Sequence, residues 1–166
     1  MNPVWHSITE ALRSEITEYG ALLHLFEEQQ QRLFARDPEA VLRLSTDIEA
    51  QVRILHDSRR RREELVSAYA VAHGHPAGAT LRSLLPNFVA EVRPLLEAMI
   101  TEVNVLIHRV RRVSRHNHTL LARSVDAQQQ LLRQLKPDAF TQTYAPNGRV
   151  SMTTTARPSP ALQAAG

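Results

Sequence analysis

The sequence predicts an all-α fold: an elongated, antiparallel, coiled-coil-like three-helix bundle with a long C-terminal helix and a disordered tail. Three observations point there. Apolar residues recur at helical spacing through three long blocks. Aromatic residues make up only 5% of the 166 and glycine occurs five times, which favours helices over a sheet. The periodicity then stops at Lys136-Pro137. The expected organisation is a helical bundle over residues 1–136 and a flexible tail over 137–166.

In the first block Trp5, Leu12, Tyr19, Phe26 and Leu33 recur every seven residues, joined by Ile8, Ile16, Leu22 and Leu23. A strict repeat of seven favours coiled-coil-like packing. Asp37-Pro38-Glu39 then supplies an N-cap, a proline suited to the first helical position and an acid in the first turn. The second block runs through Val41, Leu44, Ile48, Val52, Leu55, Val66 and Tyr69 and ends near His73-Gly74. Residues 74–80, GHPAGAT, form an internal Gly/Pro cluster and are expected to be a loop. Thr80 can cap a short turn over Leu81, Leu84 and Leu85, which Pro86-Asn87 closes or restarts.

The third block is the most regular. Val92, Leu96, Met99, Val103, Leu106, Val110, Val113, Asn117, Leu120, Ser124, Ala127 and Leu131 alternate at spacings of four and three, and only Asn117 and Ser124 are polar. Pro94 falls near its start, where it can set the first turn or kink the helix. At 1.5 Å per residue the first two helices measure about 50 Å and the third about 70 Å. An up–down–up arrangement therefore leaves roughly the last dozen residues of the third helix beyond its neighbours. Val125, Leu131, Leu132 and Leu135 lie there, and an apolar face that outruns its own core expects a partner.

Composition removes several classes of function. The chain has no cysteine, so disulfides, thiolate zinc sites and a cysteine nucleophile are excluded. No basic flank followed by an apolar run opens the sequence, and no apolar stretch reaches the roughly 18 residues of a membrane span, so a cytoplasmic protein is expected. The pI of 9.9 suggests nucleic acid, but the formal charge is only +3. All but one of the 20 Lys and Arg residues are Arg, which by itself keeps the pI high, so no nucleic-acid partner is expected.

Individual motifs divide between chemistry and structure. His73 and His75, and His116 and His118, are spaced by two, which puts each pair on different helix faces, so neither a metal site nor a cofactor is expected. The run Arg59-Arg60-Arg61-Arg62 points in four directions on a helix and reads best as a solvated face. Arg59 and Arg62 nonetheless fall where the seam calls for apolar residues, which suggests a locally open core or an acidic groove on a partner. Asn117-His118-Thr119 matches a glycosylation sequon, but inside a helix it is accidental. Asn117 within an apolar seam either gives partner specificity or is hydrogen-bonded inside its own bundle. In the tail, Tyr144-Ala145-Pro146-Asn147-Gly148 can turn tightly, with Gly148 free to take positive φ and Tyr144 presented as an aromatic anchor. Alternatively Tyr144 is an isolated ring in a disordered tail. No phosphate loop, carboxylate pair or Ser–His–Asp arrangement is visible, so the chain is not expected to be an enzyme.

Three stretches in order carry a family likeness: Arg115-His116-Asn117-His118-Thr119-Leu120-Leu121, Ala127-Gln128-Gln129-Gln130-Leu131-Leu132-Arg133-Gln134-Leu135-Lys136-Pro137, and Thr143-Tyr144-Ala145-Pro146-Asn147-Gly148. With the glutamine-rich first hairpin at Glu27-Glu28-Gln29-Gln30-Gln31, the chain resembles the FlgN family of flagellar export chaperones over most of residues 5–150. Ser114 stands where that family often has the first of two asparagines. The resemblance implies a cytoplasmic chaperone that binds the C-terminal helical segments of hook–filament junction proteins, prevents their premature assembly and delivers them to the type III export gate. It implies a cargo face of Asn117, Leu120, Leu121, Val125, Gln128, Leu131, Leu132 and Leu135, and export-gate contacts from Tyr144 and Gly148. Without cargo the protein is expected to be monomeric, with no membrane insertion. A self-associating structural coiled coil is the alternative, and a nucleic-acid-binding helical module is a third reading argued only from arginine content.

Overall fold

The computed structural model describes residues 4–135, 140–144 and 150–154. Helix α1 spans Val4–Phe34, α2 Pro38–Ala72, the short α3 Leu81–Leu84 and α4 Arg93–Leu135, with a 3-10 turn at Leu85–Asn87. Strands β1, Phe140–Tyr144, and β2, Val150–Thr154, pair antiparallel, with Phe140 opposite Thr154 and Tyr144 opposite Val150. These strands lie within the segment expected to be unstructured, so that expectation is corrected over these two stretches. The segment's polar composition hid a β-branched pattern, Thr141 opposite Thr153 and Thr143 opposite Ser151, of the kind that suits strands. The remainder of the expected tail lies outside the described residues. The chain divides into two compact units, residues 1–120 and residues 121–166.

In the first unit, α1 and α2 form a tight antiparallel hairpin. Their join is short: Arg36 takes a positive φ of 55°, and Asp37 then caps α2 by accepting a hydrogen bond from the Ala40 backbone at 3.1 Å. Pro38 occupies the first turn of α2, where a missing N–H costs no helical bond. Polar rungs fix the register along the hairpin. Gln29 donates to Ser45 at 3.1 Å, Gln51 donates to the Glu18 carboxylate at 2.6 Å, and Ser58 donates to Ser14 at 3.2 Å.

Helix α2 ends in a Schellman motif. Gly74, at φ 76°, donates to Val71 at 3.1 Å, and His75 donates to Ala70 at 2.9 Å. Glycine is required there because a side chain at that φ would be strained. Thr80 caps α3 as its sequence position predicts, accepting from the Ser83 N–H at 3.2 Å. The loop is fastened to α2 by Tyr69, whose ring stacks on Phe88 at 4.3 Å and whose hydroxyl donates to the Asn87 carbonyl at 3.0 Å. Pro94 is the second residue of α4 and sets its first turn, and Arg93 reaches back to the Phe88 and Pro86 carbonyls, each at 2.8 Å.

One apolar cluster draws on every helix of this unit: Ile8 and Leu12 of α1, Ile48 and Leu55 of α2, Leu81 and Leu84 of α3, and Leu96, Met99, Val103, Leu106 and Val110 of α4. Removing each such side chain from water contributes about 1.5–3 kcal/mol, so the seam read from the third block holds α4 to the rest of the unit.

Candidate functional site

The apolar seam of α4 closes on a polar layer. Asn117 is buried, and its amide nitrogen donates to the Phe26 carbonyl at 2.8 Å and to Gln29 Oε1 at 3.1 Å. Its Oδ1 accepts from Gln30 Nε2 at 3.2 Å. Gln29 hands the network on to Ser45, which donates to the Val41 carbonyl at 2.9 Å. Gln30 also meets His116 at 2.9 Å, and Arg109 pairs with Glu27 at 3.5 Å one level away. Both donors of Asn117 are thus used within the chain. Of the two readings open at this position, the internal hydrogen bonding is what the structure displays: Asn117 is buried and ties α4 to α1. A buried amide with both donors satisfied is also a register mark, since a shift of either helix would strand it.

Beyond Asn117 the remaining residues expected on a cargo face are distributed by exposure. Leu120, in the first unit, is half-buried. In the second unit Leu121 is half-buried and Gln128 exposed. Val125, Leu131, Leu132 and Leu135 are 49%, 58%, 50% and 77% exposed. At 100° per residue, Leu121, Val125, Gln128, Leu132 and Leu135 fall on one face of α4, with Leu131 beside them. Tyr144 is the last residue of β1. Gly148 lies outside the described residues.

The sequence model of one protein family, described as FlgN protein, matches residues 1–151. The chain belongs to the FlgN family. That membership makes it a chaperone of flagellar assembly in type III protein export. No curated protein and no solved structure matches it. Among the described residues no helix is long and apolar enough to cross a membrane.

This FlgN-family chain also holds a buried charge cluster that sequence reasoning missed. Glu15 of α1 is fully buried, and Arg62 of α2 donates to its Oε2. Arg59 Nε lies 4.0 Å from Oε1, which itself accepts no hydrogen bond. Burial raises the pKa of the neighbouring Tyr19 hydroxyl above its ordinary 10.0, while Arg59 opposes that shift, Glu15 adds to it, and Arg62 and Arg111 oppose it. The arginine run is therefore not simply a solvated face. Arg59 and Arg62 occupy seam positions because α1 places a carboxylate opposite them, so the core is closed there by an ion pair and needs no acidic groove from a partner. The signal was present in two polar breaks of opposite sign, Glu15 between Leu12 and Tyr19 and Arg62 between Leu55 and Val66.

Three of the four histidines singled out by spacing make contacts within the fold. His73 contacts the Tyr69 carbonyl at 2.8 Å and stacks on its ring at 4.0 Å, and His75 meets Asn87 at 2.6 Å. His116 sits between Gln30 and the exposed ring of Phe34, whose centroid is 6.4 Å away. Among the described residues no group of three or more His, Cys, Asp or Glu could hold a metal ion.

Proposed function

We propose that this FlgN-family chaperone binds the C-terminal helical segments of hook–filament junction proteins on the apolar face of α4 formed by Leu121, Val125, Gln128, Leu131, Leu132 and Leu135. The observation that carries this reading is the exposure of four large aliphatic side chains on a helix of a soluble-type composition, a surface that gains by taking up an amphipathic cargo helix. Leu120, the residue before Leu121 and on the same side of α4 as Leu131, extends this cargo contact. Asn117 enters as the residue that anchors α4 to α1 just before the face begins, rather than as a cargo contact. Covering the sticky cargo termini keeps them from assembling prematurely in the cytoplasm. Residues 1–136 act as the chaperone body and 137–166 as the delivery tail, with Tyr144 and Gly148 contacting the export gate. Without cargo the protein is monomeric.

The same exposed leucines favour one rival, a self-associating coiled coil that pairs this face with a second copy. Mass measured in solution by light scattering separates the two, together with titration of purified junction protein. A monomer that forms a defined complex with cargo supports the chaperone reading. A stable homodimer whose formation excludes cargo supports the rival.

A further inference from the structure

Residues 108–118 of α4 contain four arginines, Arg109, Arg111, Arg112 and Arg115, and three histidines, with no acid among them. All seven are exposed, while Val110 and Asn117 are buried and Val113 and Ser114 half-buried. The helix is thus basic wherever it meets solvent along this stretch. The arginine run of α2 makes a control within the same molecule. There Arg59 is paired with Glu63 at 3.4 Å, Arg60 with Asp57 at 3.6 Å and Glu64 at 3.8 Å, and Arg62 with Glu15. Of the four arginines in 108–118, Arg109 has such a partner, Glu27; among the described residues Arg111, Arg112 and Arg115 are in no ion pair. Arg111 lies near enough to Tyr19 to oppose the rise of its pKa, as Arg59 and Arg62 do.

We propose that Arg111, Arg112 and Arg115 form a docking surface for a carboxylate-bearing helix of a protein partner, separate from the apolar cargo face. Arg111 and Arg115 are spaced by four and Arg112 and Arg115 by three, which places the guanidinium groups one turn apart along one side of α4. Carboxylates at the same spacing on a helix laid alongside meet that row, and guanidinium forks engage carboxylates in paired hydrogen bonds. Two other anionic surfaces fit less well. A lipid surface would need a cluster of apolar side chains on this face to insert, and Val105 stands there among the polar Thr101, Asn104 and Thr119. A nucleic-acid duplex held by about three arginines releases only about three counterions, too few for useful binding at physiological salt. The surface does not depend on what occupies the leucine face.

The test uses the full chain with three probes in one low-salt buffer: fluorescent poly-glutamate, a short DNA duplex and phosphatidylglycerol vesicles. Arg111→Gln/Arg112→Gln/Arg115→Gln should bind poly-glutamate about tenfold or more weakly than the parent. Arg60→Gln/Arg61→Gln on α2 should bind it as the parent does. Helicity and melting of both variants are followed by circular dichroism. Should the triple variant melt early, Arg112→Gln/Arg115→Gln, which spares the arginine beside Tyr19, carries the comparison. Equal weakening by the α2 and α4 variants would overturn the assignment, as would a parent that does not bind poly-glutamate. Tighter binding of the duplex or the vesicles than of poly-glutamate would overturn it in favour of that surface.

Discussion

Two stretches of α4 present apolar residues at helical spacing and meet opposite fates. Leu96, Met99, Val103, Leu106 and Val110 are buried in the core of the first unit, whereas Val125, Leu131, Leu132 and Leu135 are exposed. Spacing alone does not distinguish them, since both are amphipathic helix with no glycine or proline to interrupt it. What separates them is Asn117, the polar layer that stands between the stretches in sequence and spends its hydrogen bonds on α1. The lesson is that hydrophobic period identifies a face, and only the covering partner decides whether that face contributes stability or binding.

The sharpest way to break this comparison is to truncate a leucine in each stretch. Leu96→Ala, at a fully buried site, should destabilise the protein by about 2–5 kcal/mol through lost transfer energy and a residual cavity. Leu132→Ala should change stability by less than about 0.5 kcal/mol. Urea denaturation followed by circular dichroism gives both values, and equal costs would erase the distinction.

A somewhat smaller loss is expected at the charge cluster. Arg62→Leu leaves the Glu15 carboxylate buried with only Arg59 at 4.0 Å, and should cost about 3 kcal/mol. The double change Glu15→Leu/Arg62→Leu should recover most of that loss, because removing both charges also removes their desolvation. A double variant no more stable than Arg62→Leu alone would mean that the pair is worth more than its burial costs.

Asn117→Ala should follow, at about 1–3 kcal/mol, because the Gln29 and Gln30 side chains lose a buried partner. The same melting experiment measures it. A neutral result would show that the layer is dispensable to the fold. Smallest of all is Tyr144→Ala, which should leave stability within about 0.5 kcal/mol of the parent, as it belongs to the second unit and not to the core of residues 1–120. Secretion of junction proteins by cells carrying this variant should nonetheless fall. Unchanged secretion would remove Tyr144 from the delivery reading.

Most of the helical framework was legible because it is local. The Asp37-Pro38 start of α2 and the Thr80 cap each depend on neighbours in sequence, and each stands where its chemistry predicts. The seam also named the α4 residues that enter the core. What escaped were pairings across long sequence separation. Glu15 and Arg62 lie 47 residues apart, and Arg62 sits in a run whose local acids, Glu63 and Glu64, suggest a solvated face. At Asn117 the residue type showed that something polar had to be satisfied, but not that Phe26, Gln29 and Gln30 would satisfy it. The hairpin escaped because a strand pair with few apolar residues resembles a polar tail when read one segment at a time.

If the leucines of α4 beyond residue 120 serve a cargo helix and not the protein's own core, one double variant should separate the two roles. Leu131→Glu/Leu132→Glu should be purified, melted beside the parent and titrated by calorimetry with the C-terminal helical segment of a junction protein. An unchanged melt is expected, with affinity for that segment reduced by about a hundredfold or more, since each buried leucine contributes about 1.5–3 kcal/mol. Full cargo affinity in a folded variant would contradict it, and so would a variant that unfolds.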